Sequence, residues 1–134
     1  MKKEIIICII VVIAIVLGNV ITQNYTNESV KILSDELDEL KINLNNKLEK
    51  QEEKPKEELS KKIEKITNDW ELRHDKLAYY IEHNELEKVE DNLTSLNSLI
   101  STEKYAEAIK ELDKSIFILK HIEEKYAFNL ENIF

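Results

Sequence analysis

The chain has 134 residues and a net charge of −8; its first 22 residues carry +1, which leaves −9 on the remainder. So acidic a body repels nucleic acid, anionic lipid head groups and anionic wall polymers, and those partners are excluded. One glycine and one proline leave little material for the turns of a sheet, and a single cysteine rules out an internal disulfide or a multi-cysteine zinc site.

The predicted elements begin with residues 5–21, IIICIIVVIAIVLGNVI, of which fifteen of seventeen are apolar and none is charged. As a helix this run spans about 25 Å, the short end of what a roughly 30 Å hydrocarbon slab requires. Its Ile, Val and Leu side chains together favour insertion by about 6 kcal/mol, before Asn19 is counted against them. Lipid offers the backbone no hydrogen bonds, so the β-branched residues are forced into a helix there. Lys2 and Lys3 precede the run and no basic residue follows until Lys31. That asymmetry predicts a single pass through the cell membrane: a cytoplasmic stub at 1–4, a transmembrane signal anchor at 5–22 and an extracytoplasmic remainder. Tyr25 falls at the depth of an interfacial aromatic. A cleaved signal peptide is the rival reading, but only Val16-Leu17-Gly18 offers a small residue near a cleavage point. Cys8 lies inside the apolar core, not at its end, so it reads as a small membrane residue.

Residues 23–54 form a membrane-proximal amphipathic helix. Val30, Leu33, Leu37, Leu40, Leu44 and Leu48 recur at spacings of three and four, which makes one apolar stripe. Asn27 or Ser29 would cap it, unless the helix simply continues from the membrane. The stripe stops in a charged stretch that contains Pro55, which suits the first position of a new helix and marks a hinge or turn.

Residues 55–134 read as a small antiparallel helical bundle. Its first helix carries Leu59, Ile63, Ile66, Trp70, Leu77 and Ile81 and ends near His83-Asn84. The next carries Leu86, Val89, Leu93, Leu96 and Ile100. Ser101 or Thr102 then caps a last helix with Tyr105, Ala108, Ile109, Leu112, Ile116, Leu119, Ile122 and Tyr126. The tail adds Leu130, Ile133 and Phe134. The fold class is therefore all-α, with Trp70, Leu77, Ile81, Leu86, Leu93, Leu96, Ile100, Ile109, Leu112, Ile116, Leu119 and Phe134 as the bundle core. Leu33, Leu37, Leu40, Leu44 and Leu48 form a candidate interaction stripe. It must fold back on the bundle, pair with a second copy, or meet another membrane protein.

Chemistry-bearing motifs are sparse. Glu71-Leu72-Arg73-His74 has the i, i+3 spacing of a di-iron bundle ligand pair, but the required second copy is missing: His83 follows Tyr80, and His121 follows Ile118. His74 sits one turn from Trp70 and is expected to be partly covered by it. No nucleophile has a local base, and no glycine-rich loop exists to hold a phosphate. The residues thus indicate no catalytic, cofactor or metal site and no small-molecule substrate. Tyr105–Ile109 echoes a tetratricopeptide helix, without the repeat that a solenoid needs.

Trp70, the run Tyr80-Ile81-Glu82-His83-Asn84-Glu85-Leu86, the Leu93–Leu96–Ile100 stripe, Ala108, Leu112, Leu119-Lys120-His121-Ile122 and Asn132-Ile133-Phe134 together resemble the domain-of-unknown-function family 4363. These are small single-pass membrane proteins of Gram-positive, often spore-forming bacteria. Residues 23–60 match only in helical character. The resemblance implies an anchored extracytoplasmic helical domain with no established activity, and no catalytic residues to carry over. It implies that Trp70 and Asn132-Ile133-Phe134 build the core and dock the tail. The expected function is a structural or interaction role with another envelope protein or with itself. A ligand-sensing bundle that acts through a separate membrane partner is the alternative.

Overall fold

The computed structural model describes residues 1–50 and 55–127. Four helices follow one another: α1 (Lys2–Lys50), α2 (Lys56–Leu77), α3 (His83–Ser101) and α4 (Tyr105–Lys125), with no strand among the described residues. The all-α reading therefore holds. The helices run up and down in turn, and each packs on two neighbours: α1 on α2 and α4, and α3 on the same two. Short connections make sequence neighbours antiparallel, as in other four-helix bundles.

The apolar run and the Val30–Leu48 stripe belong to one uninterrupted helix of 49 residues. Neither Asn27 nor Ser29 caps it. The polar stretch between the two segments is instead tied into the helix by its own hydroxyls. Thr22 Oγ1 donates to the Asn19 carbonyl at 3.0 Å, and Thr26 Oγ1 donates to the Thr22 carbonyl at 2.9 Å. Along 5–21 the helix is uncovered by any other described residue. Cover begins at Thr22, one residue past the apolar run.

The stripe is where the structure corrects the sequence reading. Val30, Leu33, Leu37, Leu40 and Leu44 are buried inside the bundle, in one continuous core with Leu59, Ile63, Trp70, Leu96, Leu112 and Leu119. Leu33, Leu37, Leu40 and Leu44 are thus core residues, not a docking face. Only Leu48, at 46% exposure, is left outside. Folding back wins because each buried leucine contributes roughly 1.5–3 kcal/mol, and α2 and α4 offer a groove within the same chain. The stripe-bearing half of α1 therefore shares one core with α2, α3 and α4. Of the expected core, Ile109 is only half-buried at the rim and Phe134 lies outside the described residues.

Two boundaries also shift. Helix α2 stops at Leu77, short of the expected end near His83-Asn84, and His83 opens α3 instead of closing α2. Ile81 is buried from within the turn, held by a bond from its N–H to the Leu77 carbonyl at 2.9 Å. The other boundary is the end of α3. Thr102 caps its C-terminus and does not start α4, which follows Lys104. Glu103 adopts φ 60°, and the Glu103 and Lys104 N–H groups bond back to the Ile100 and Leu99 carbonyls. This is a Schellman closure with glutamate where glycine is usual. Pro55 stands at the N-cap of α2 and accepts from the Glu58 N–H.

Candidate interaction site

With most of its leucines buried, the bundle presents many charged side chains, and several of its lysines pair across helix seams. On the α1–α2 seam, Lys65 bridges Glu36 and Asp69, while Lys62 pairs with Glu39 one turn up. Burial pushes the Glu36 carboxyl above its ordinary value, whereas the Lys65 ammonium holds Asp69 below its own. The α1–α4 seam is closed by Lys41 and Asp113. Lys47 lies over the Tyr105 ring, 5.2 Å from its centroid.

Glu85, only 6% exposed, joins α3 to the end of α4. Lys125 reaches it at 3.1 Å and Glu82 at 3.4 Å, and Lys88 adds a second contact on Glu85 at 3.3 Å. The Lys125 hydrogen bond holds the Glu85 carboxyl below its ordinary value, against the opposing effect of burial. Next to this cluster the Tyr126 hydroxyl accepts from the Glu82 N–H at 2.8 Å.

At the same end of the bundle, α2 and the turn after it are tied to α1 just past the apolar run. Tyr80 Oη sits 2.8 Å from Thr26 Oγ1 and donates to the Thr22 carbonyl at 3.1 Å. Arg73 donates to Ser29 Oγ at 3.1 Å, and both Arg73 and Lys76 lie over the Tyr25 ring. Burial raises the Tyr80 hydroxyl above its usual range.

The expected chemical residues do not converge. Glu71 is exposed, and His74 instead meets Trp70 edge-on at 5.9 Å between ring centroids, which bears out the covered position expected of it. His74 Nε2 faces Glu90 on α3 at 3.3 Å, and His83 pairs with Glu87 at 2.9 Å. Among the described residues no three His, Cys, Asp or Glu side chains are placed to share a metal ion. Beside Trp70 a cleft of about 300 Å³ runs between α2 and α3, lined by Thr67, Glu71, Glu90, Leu93 and Thr94. Trp70 is 2% exposed, and its Nε1 has no hydrogen-bond partner among the described residues.

Sequence reasoning missed Glu36, Lys65, Glu85 and Tyr80 as structural partners. Glu85 and Glu36 carry no distinguishing local signal in so acidic a chain. Tyr80 was visible only as part of the family-like run, because its partners lie 54 and 58 residues away.

No curated relative and no solved structure matches the chain. A family model described as Domain of unknown function (DUF4363) matches residues 20–133, which covers the polar end of α1 and the whole bundle but little of the apolar run. By that match the chain belongs to the DUF4363 family.

Proposed function

We propose that this protein is a membrane-anchored, extracytoplasmic accessory subunit that acts by assembly with an envelope protein, or with itself, and not by catalysis. The observation that carries the reading is the continuity of α1. One helix is an uncovered apolar rod over residues 5–21 and a core element of the bundle from Val30 onward. A bundle joined to its anchor without a hinge is held at a fixed height above the bilayer, which suits a scaffold. The surface left for a partner is no longer the leucine stripe. It is the rod itself, where Asn19 places a polar amide in lipid that a neighbouring helix can satisfy. A photocrosslinker at Val16, three residues from Asn19, is expected to give a discrete adduct larger than the 15.8 kDa monomer in membranes. Monomer alone under efficient labelling removes the assembly reading. Protease added to intact protoplasts is expected to remove the bundle; protection of the bundle overturns the orientation.

A second reading, ligand sensing, is favoured by the cleft beside Trp70 and its unpartnered indole N–H. A small-molecule thermal-shift screen on the full chain separates the two, because a ligand that binds only the folded state raises the melting temperature.

A further inference from the structure

Four of the five tyrosines gather at one end of the bundle. Tyr25 lies on α1 just past the apolar run, Tyr79 and Tyr80 form the α2–α3 turn, and Tyr126 follows α4. The fifth, Tyr105, opens α4 at the opposite end. Tyr25, Tyr80 and Tyr126 are partly buried against the core. Tyr79 is different: it is 89% exposed and packs on nothing.

The height of this end is set by the Tyr80 hydroxyl, which donates to the Thr22 carbonyl and lies 2.8 Å from Thr26 Oγ1. Thr22 directly follows Ile21, the last apolar residue of the run. Residues 22–26 rise only about 7 Å along a helix. The headgroup layer on each side of a bilayer is itself about 5–7 Å thick. A run of only 17 residues, shorter than the slab it must cross, draws the bundle down further. The turn that holds Tyr79 therefore lies at the level where tyrosine rings collect at membrane surfaces.

We propose that the tyrosine-bearing end of the bundle is a lipid-contact surface, seated in the headgroup layer of the bilayer that α1 crosses, with the exposed Tyr79 ring inserted into it. The inference rests on the membrane-anchored reading above and adds to it a second point of attachment. The occupant is the zwitterionic headgroup and upper acyl layer. Arg73 and Lys76 at this end are balanced by the exposed Asp75 and Glu82, so no anionic lipid is selected. Two attachment points make the bundle stand at a fixed tilt instead of swivelling about α1.

The test uses the full chain in phosphatidylcholine bilayers, with Cys8→Ser removing the native thiol. Spin labels are placed singly through Tyr79→Cys, Lys104→Cys at the far end of the bundle, and Ile13→Cys inside the apolar run. Ala78→Cys, also exposed, serves as a second position in the turn should the Tyr79 label perturb folding. The readout is collision with oxygen, which enters lipid, against a water-soluble nickel complex, which does not. The proposal expects the turn label to collide with nickel several-fold less often than the Lys104 label, while the Ile13 label is reached by oxygen alone. A turn label as wet as the Lys104 label, with Ile13 still in lipid, overturns the lipid contact and leaves the anchor standing. An Ile13 label in water overturns both.

Discussion

Single residues show where this fold is strained and where it is charged. Glu103 holds φ 60°, a conformation that costs a non-glycine residue roughly 1–2 kcal/mol. Glu103→Gly removes that cost and gives back part of it as freedom in the unfolded chain. A net gain of about 0.5–1 kcal/mol is expected in thermal or denaturant unfolding, with Glu103→Ala giving none; equal effects of the two would remove the strain argument. Glu85 offers a test by pH. Its carboxyl titrates below its ordinary 4.5 in the folded protein because Lys125 favours the ionised form. Its contribution to stability is therefore present above about pH 4.5 and is lost as the pH falls through its lower folded value. Glu85→Gln is expected to be less stable than the parent at pH 7. The two chains should converge as the pH falls through the lowered folded value of this carboxyl, in urea melts read by circular dichroism. Glu36, raised by burial, slopes the other way and does not share this window.

Among the elements, α1 decides the architecture. Its stripe had three possible partners, and the groove between α2 and α4 takes it. Leu40→Ala or Leu44→Ala, both fully buried, is expected to cost about 2–5 kcal/mol of unfolding free energy. Leu48→Ala, with nearly half its surface in water, is expected to cost under about 1 kcal/mol. Comparable small losses at all three positions would return the stripe to the surface. The shifted end of α2 has a local cause. Apolar spacing passes from Leu77 to Ile81 without a break, and the turn bonds back to the Leu77 carbonyl from both Tyr80 and Ile81. A tight turn built from helical backbone keeps the periodicity of the helix it ends, so spacing alone reads through it. Only the Tyr80 contact to α1, far away in sequence, marks the place.

At the scale of the whole molecule, the apolar run and the bundle share a helix but not a core. Every buried core residue lies at Val30 or beyond. A chain that begins at Thr22 is therefore expected to fold cooperatively in water, with a sharp melt and the helical content of four packed helices. A chain that begins at Pro55 loses Val30, Leu33, Leu37, Leu40 and Leu44 from that core. It is expected to melt broadly or to associate through the exposed groove. A sharp monomeric melt from the shorter chain would mean that α1 is dispensable to the bundle.

The residues alone determined a great deal: an all-helical chain, one run long and apolar enough to cross a membrane, four stripes and nearly all of their buried members. These follow from local spacing and from the cost of unbonded backbone, which are written along the chain. They left open which stripe meets which, so a core face passed for a docking face. Only the packed structure decided that, because the leucines of α1 are equally satisfied by any apolar groove, and the nearest one belongs to the same molecule. The same limit hid Tyr80, Glu85 and the Lys65 bridge. Their partners are set by the order of helices around the bundle, which no periodicity records.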